Sequence, residues 1–280
     1  MWTQRKVYVK LKTLELIYMK LEYYIADPAG NITVLVKTPV SREEYGPLAV
    51  RLLAIPEIKA EQVGYITKPL DDGDTRLEMM GGEFCGNAMR SAALLYAMEN
   101  GMEGEGLVNI EVSGSAGAHR VFTDTVEGNA LAEMPLPVGI KKISFGSIEG
   151  QLCVFDGIAH LVTDESAENH GIDEIKAILG YICDAEKVSA AGIMFMGGEL
   201  MRPAVYVRNT DSLIFENSCA SGSAAAAACS AVLCGGGLHM LDIPQPGGVI
   251  STRTTIESGM IKKLILGGKV LIGDKENIEI

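Results

Sequence analysis

Two cysteines stand in matched settings. Cys85 lies within Met79-Met80-Gly81-Gly82-Glu83-Phe84-Cys85-Gly86-Asn87-Ala88-Met89-Arg90, and Cys219 within Ser218-Cys219-Ala220-Ser221-Gly222-Ser223-Ala224. In each, a thiol precedes small residues and then a run of helix formers. From Ala88 the run Ala-Met-Arg-Ser-Ala-Ala-Leu-Leu-Tyr-Ala-Met is apolar on most faces, and from Ala224 to about Leu233 it is nearly all alanine. A helix apolar all round is a buried helix. A cysteine at its N-terminal mouth meets free backbone N–H groups and the positive end of the dipole, which favour a thiolate. A lone cysteine in this setting reads as a small buried hydrophobe. The second copy, close to half a chain length away, points instead to a pseudo-symmetric pair.

Two thiols across a cleft suit one kind of chemistry. Inverting an amino acid at its α-carbon needs one group to remove the proton and another to return it from the opposite face. One thiol must begin ionised and the other protonated, so their titrations are coupled. The carbon acid is far weaker than a thiol, so the developing dianion on the carboxylate must be stabilised. Opposed helix N-termini offer oriented N–H donors for that, and neither a pyridoxal lysine nor a metal is required.

The rest of the chain must position that pair. Residues 1–18 read as an appendage, with Met19 as an alternative start. Lys20 to Ala26 reads as a strand, Asp27-Pro28-Ala29-Gly30-Asn31 as a turn, and Ile32 to Val36 as the partner strand of a hairpin. Ser41-Arg42-Glu43-Glu44 has capping-box spacing and opens a helix toward Leu53, weakened by Gly46-Pro47. Strands follow at Val63 to Lys68, Arg76 to Met80, Leu107 to Val112, His119 to Thr125 and Ala130 to Met134, with the first cysteine helix among them. Pro135-Leu136-Pro137 marks the best boundary. It divides the chain into an extension (1–18), an N-terminal half with Cys85 (19–136) and a C-terminal half with Cys219 (137–280).

The second half repeats the plan loosely. Strands are expected at Lys142 to Phe145, Leu152 to Phe155, His160 to Thr163, Gly192 to Met196, Pro203 to Val207, Val249 to Thr255 and Leu264 to Ile272. An amphipathic helix is expected from Asp173 to Tyr181. The fold class is therefore α/β (α+β), with two halves, each a curved sheet or barrel wrapped around a buried central helix.

Composition narrows the function. A 280-residue chain can bury a sizeable core, and its 48% hydrophobic and 21% charged content is that of an ordinary globular protein. A formal net charge of −12 argues against nucleic-acid and anionic-membrane partners. Six cysteines are too few for a disulfide scaffold, the first 19 residues hold no continuous apolar signal, and the Ala/Gly-rich run at 224–238 is too weakly apolar to span a bilayer. A cytoplasmic, thiol-reduced protein is expected, and the sequence leaves room for a homodimer.

The segments Pro28-Ala29-Gly30-Asn31, Gly82-Glu83-Phe84-Cys85-Gly86-Asn87-Ala88-Met89-Arg90 and Cys219-Ala220-Ser221-Gly222 resemble the signatures of the diaminopimelate epimerase-like family. The resemblance runs from about Met19 to the C-terminus. It implies a cofactor-independent racemase or epimerase with two pseudo-symmetric halves and the site between them. It also implies acid/base roles for Cys85 and Cys219, and a small-molecule amino acid as partner. By the same resemblance, Gly86, Asn87, Ala220 and Ser221 match the turns whose backbone N–H groups hold the α-carboxylate. Asn31 matches the hairpin asparagine that contacts substrate.

Departures from the family pattern bear on the substrate. Gly157-Ile158-Ala159-His160 puts Ile158 where an asparagine would read the far end of diaminopimelate, and the later asparagine expected near Gly192 is absent. A Glu-Arg pair ahead of the second cysteine is out of register, with Arg208 and Glu216 nearby. An apolar residue cannot satisfy a buried ammonium and carboxylate, so diaminopimelate is disfavoured. The wording around Cys85 and the hairpin is most similar to the family's histidine racemase branch, which supplies D-histidine for opine-type metallophores. Glu78 could then face a basic or imidazole side chain, or simply solvent.

Other residues carry less. His160 follows a strand pattern and reads as a satisfied core histidine. Cys229, Cys234 and His239 have loosely metal-like spacing without a fourth ligand, Cys153 and Cys183 read as core, and no phosphate-binding fingerprint is present. Two rival readings stand: an isomerase or dehydratase of a cyclic amino acid such as hydroxyproline, and a Cys85/Cys219 redox sensor.

Overall fold

The structure, a computed structural model, describes residues 19–280 except Ser147; the N-terminal extension read at 1–18 lies outside the described residues. The first part of the chain runs β1 (Lys20–Asp27), β2 (Thr33–Val36), α1 (Tyr45–Leu53), β3 (Gln62–Thr67), β4 (Thr75–Met79), α2 (Gly86–Glu99), β5 (Glu105–Val112), β6 (Ala118–Asp124) and β7 (Asn129–Glu133). The second runs β8 (Gly139–Phe145), β9 (Ile148–Val154), β10 (Ile158–Thr163), α3 (Ile172–Glu186), β11 (Ala190–Phe195), β12 (Arg202–Val207), β13 (Ser212–Phe215) and α4 (Ala220–Cys234). It ends with β14 (Gly237–Gln245), β15 (Gly248–Glu257), β16 (Met260–Lys269), β17 (Leu271–Ile272) and β18 (Glu276–Glu279). The result is a mixed α+β fold that is mostly sheet.

Among the described residues, one sheet runs β14-β15-β16-β7-β6-β5-β4-β3-β2-β1-β17, with β18 also on β1, and a second runs β13-β12-β11-β10-β9-β8. The chain changes sheets at Pro135-Leu136-Pro137, after β7, and returns with β14. Strand β16 pairs with β7, Ile265 opposite Glu133, and β18 pairs with β1, Leu21 opposite Ile278. The division of the sequence at residue 136 is therefore not a division by sheet.

Strand alternation builds three layers of core. On β1 and β2, Tyr24, Ala26 and Leu35 face α2, while Leu21, Tyr23, Val34 and Val36 face the layer that holds Tyr45, Leu48 and Leu52 of α1. In the second sheet Ala159, Leu161, Ala191 and Ile193 face Ile175, Leu179 and Ile182 of α3. Helices α2 and α4 lie inside, in one core with Val108, Ile110, Val121, Ile250 and Leu266. Eleven of fourteen α2 residues are buried, and ten of fifteen in α4, as all-round apolar sequences require.

Several elements differ from the sequence reading for local reasons. Ser41 Oγ does bond Glu44 Oε2 at 3.0 Å, but the backbone there is a single 3₁₀ turn. The α-helix begins at Tyr45, so Pro47 falls in its first turn, where no N–H is needed. The strand expected over Leu264 to Ile272 divides into β16 and β17, beside Gly268 at φ +140°. Strands β13, β14 and β18 were not expected; β14 begins in the glycine-rich exit from α4, whose composition reads as loop. Among the described residues no helix is long and apolar enough to cross a membrane.

Candidate active site

Cys85 and Cys219 are the N-cap residues of α2 and α4. Each has extended backbone, and each Sγ accepts a bond from its own helix: Ala88 N–H at 3.4 Å on Cys85, Gly222 N–H at 3.3 Å on Cys219. The next amides, Met89 and Ser223, bond the carbonyls of Cys85 and Cys219. The amides of Gly86, Asn87, Ala220 and Ser221 are the first of their helices and have no partner within them.

The two helix starts abut. A Cβ on Gly86 would lie 3.1 Å from the Ala220 Cβ and 3.0 Å from Met134 Cε. Asn87 Nδ2 donates to Ser218 Oγ at 3.2 Å, so a side chain of one helix start holds the loop of the other. The hairpin at 27–31 and the turn at 246–248 also interlock. A Cβ on Gly30 would fall 2.4 Å from Gly247 Cα, and Gly30 has φ +85°. Only glycine allows both that angle and that approach.

Around Cys85 lies a chain of amides. Gln62 Nε2 is within hydrogen-bonding distance of Asn31 Oδ1 (2.8 Å), Thr33 Oγ1 (2.8 Å) and Cys85 Sγ (3.4 Å). Asn31 Nδ2 donates to Glu61 Oε2 at 2.9 Å, and Asn217 Nδ2 donates to the other oxygen of Glu61 at 2.6 Å. Around Cys219, Gln245 Oε1 accepts from the Cys219 N–H at 2.8 Å, and Ser221 Oγ lies 3.6 Å from Sγ. Glu216 hydrogen-bonds Cys219, and its charge reaches both Cys85 and Cys219.

Electrostatics correct one expectation. Burial pushes the Cys85 thiol up, against the Ala88 N–H and Gln62, so the helix start alone does not make it a thiolate. Cys219 is pushed further up, by burial and by the charge of Glu216. Burial also pushes Glu216 up, to about 7. With both thiols held protonated, Cys85 is the one that ionises more readily.

The structure thus brings Cys85, Cys219, Asn31, Gly86, Asn87, Ala220 and Ser221 together. Glu78 is not among them. Leu77 and Met79 face α2, so Glu78 points to the opposite face of β4, where Arg76 Nε (2.6 Å) and Nη2 (2.5 Å) neutralise it. The reading of Glu78 as a substrate contact fails on strand parity. His160 also departs from its reading. It faces α4 rather than α3, its Nε2 lies 2.9 Å from Ser221 Oγ, its Nδ1 has no partner, and burial pulls its pKa down to about 3, leaving it neutral. Sequence reasoning missed Glu61, Gln62, Asn217 and Gln245, which belong to no motif. For Gln245 a signal existed in the Pro246-Gly247-Gly248 turn, the counterpart in composition of the 27–31 hairpin. His239 Nε2 is taken up by the Gly235 carbonyl at 2.7 Å, and Cys229 is buried while Cys234 is exposed, so the three do not converge.

Comparisons with known proteins bear on this arrangement. Residues 20–276 match the family described as histidine racemase CntK N-terminal domain. A histidine racemase of Fusobacterium nucleatum subsp. nucleatum is 34% identical over 215 residues, covering 73% of this chain and 79% of that protein. Among solved structures, a phenazine biosynthesis protein of the PhzF family from Enterococcus faecalis superposes with TM-score 0.63 at 13% identity, over 94% of this chain and all of that one. A hydroxyproline epimerase from Agrobacterium vitis, with bound trans-4-hydroxy-L-proline, superposes with TM-score 0.61 at 12% identity, over 93% of each chain. At these identities the two structures speak for the fold alone.

Proposed function

The chain belongs to the histidine racemase CntK family, and from that premise we propose that it inverts the α-carbon of histidine by two-base proton transfer without a cofactor. The observation that carries the reading is the abutting pair of helix starts, each capped by a cysteine and joined by the Asn87–Ser218 bond. Substrate carboxylate lies between the free amides of Gly86 and Asn87 on one side and Ala220 and Ser221 on the other. There the N–H groups and both dipoles stabilise the charge that develops as the α-proton leaves. Cys85, the more easily ionised thiol, removes the proton from one face, and Cys219 delivers its own to the other. The reverse reaction exchanges their roles. Glu61 and Glu216 supply acceptors for the α-ammonium and the imidazole, and Asn31 holds Glu61 in place.

The reading treats residues 19–136 and 137–280 as pseudo-symmetric halves. The repeated order strand–helix–strand, with parallel β2–β3 around α1 and parallel β10–β11 around α3, supports it. So does the matching place of α2 and α4 after those units. Working thiols fit the reducing compartment expected from the cysteine content.

The experiment is α-proton exchange in D₂O under reducing conditions, followed by NMR for L-histidine, D-histidine, diaminopimelate and hydroxyproline. Exchange with both histidine enantiomers, lost in Cys85→Ser or Cys219→Ser, supports the reading. Exchange with another of the amino acids keeps the mechanism and discards histidine. No exchange leaves the cysteines as a redox pair.

A further inference from the structure

Arg90 is fully buried on α2. Its donors end on oxygens of uncharged groups: Nη2 on the Pro28 carbonyl (2.9 Å), Nη1 on the carbonyls of Gly268 (3.1 Å) and Lys269 (3.2 Å), and Nε on Asn87 Oδ1 (3.2 Å). Among the described residues no carboxylate makes a salt bridge with it. A cation buried in this way is costly, and its placement calls for a use.

The use follows from the direction of the bonds. A guanidinium only donates. Asn87 must therefore turn its carbonyl toward Arg90 and its NH₂ outward, to Asn31 Oδ1 at 3.4 Å and Ser218 Oγ at 3.2 Å. Asn31, its carbonyl now committed to donors, gives its own NH₂ to Glu61. Gln62 then meets an acceptor at Asn31 and presents its NH₂ to Cys85 as well. Each amide along this chain could be turned end for end; the donor-only Arg90 at its base and the acceptor-only Glu61 beside Asn31 fix them in the same sense.

Resting on the acid/base role given above to Cys85, we propose that Arg90 is a positioning residue of the reaction. It fixes Asn87 at the base of the Asn87–Asn31–Gln62 chain, whose direction Glu61 upholds at Asn31, so that Gln62 keeps an N–H on Cys85, and it supplies the buried positive charge that a Cys85 thiolate requires. A purely structural arginine would only clamp the 27–31 hairpin to α2 through Pro28. The charges that bear on this titration are Glu83 and Glu216, which push Cys85 up, Asp27, which acts on Arg90, and Glu61, which holds Asn31. Burial draws Arg90 down to about 10, and the charge of Cys85 opposes that.

The test is the pH dependence of Cys85 alkylation by iodoacetamide, read by peptide mass spectrometry in wild type, Arg90→Lys and Arg90→Gln, with near-UV circular dichroism to confirm the fold. Gln at 90 can itself accept, so Asn87 loses its fixed direction and the chain its buried charge. The midpoint for Cys85 should rise by about one pH unit or more in Arg90→Gln, and by clearly less in Arg90→Lys. A folded Arg90→Gln with the wild-type profile overturns the proposal. Should Arg90→Gln not fold, Asn87→Ala decides the matter. It adds no charge but presents no NH₂ and cuts Arg90 from the chain, so the Cys85 midpoint must rise there too, and an unchanged midpoint overturns the proposal. The readout needs no substrate. A wild type that fails to exchange histidine would sink the function above and leave this result standing or falling by itself.

Discussion

Asn87 Nδ2 donates to Ser218 Oγ at 3.2 Å, and by that one bond the loop before Cys219 is tied to the helix that begins after Cys85. Asn87 is 1% exposed and is also the acceptor for Arg90 and a donor to Asn31. Asn87→Ala should therefore cost about 1–3 kcal/mol of stability by leaving buried partners unpaired. It should also lower kcat/KM for histidine by roughly a hundredfold, through misplacement of the two thiols. Denaturant titration and steady-state kinetics check the two effects separately.

Gly86 gives a steric version of the same test. Alanine suits a helix better than glycine by about 1 kcal/mol, yet a Cβ here meets the Ala220 Cβ at 3.1 Å. Gly86→Ala should keep its melting temperature within a few degrees while kcat falls about tenfold or more. A variant as active as wild type would mean the helix starts need not touch.

The two thiols should differ in reactivity. Glu216 raises Cys219 by both its charge and a hydrogen bond, whereas Cys85 has two N–H donors and feels Glu216 and Glu83 through charge alone. As pH rises from 7, iodoacetamide should label Cys85 before Cys219, and Glu216→Gln should narrow the gap. Peptide mapping after timed quenching reports both.

Stability should carry the mark of Glu216. Its carboxyl is raised to about 7 in the fold, above the ordinary 4.5. The folded state therefore holds a proton that the unfolded state releases earlier. The stabilisation is complete below pH 4.5 and is lost as pH rises through about 7. Glu216→Gln should abolish this slope and be more stable than wild type at pH 8, by about 1–2 kcal/mol after solvent screening at the half-open site. His160 acts at lower pH. Its depressed value means that stability present above pH 6.5 declines as pH falls toward 3, equally in wild type and Glu216→Gln, so the difference between the two curves from about pH 4 to 8 isolates Glu216.

Glu78→Gln separates the sequence reading from the structure. It should leave the KM for histidine within about twofold and cost about 1–3 kcal/mol of stability by removing one of the two carboxylates on the half-buried Arg76, which keeps Glu111 at 3.1 Å. A large KM effect would put Glu78 back in the site.

What the sequence revealed was what neighbours along the chain decide. A cysteine before small residues and an apolar helix marks an N-cap by itself, and Cys85 and Cys219 both proved to be one. Gln62 meets Cys85 across 23 positions and Gln245 meets Cys219 across 26, through sheet and turn packing that no local pattern encodes. Glu78 was misplaced because its neighbours Leu77 and Met79, not the residue itself, decide which way β4 faces. The expected thiolate came from the helix dipole, a local effect. The burial that outweighs it depends on β9–β11 and β14–β16 packed around α4, and on β4–β7 around α2.

The central claim is that two thiols act from opposite faces, and the position of solvent deuterium tests it most directly. L-Histidine and D-histidine are each converted in D₂O to less than about a tenth, and both enantiomers are then separated and analysed by mass spectrometry. Two-base transfer predicts deuterium at the α-carbon of the product enantiomer and almost none in the recovered substrate, from either direction. Equal deuterium in both pools would mean a single base serving both faces, and would contradict the account.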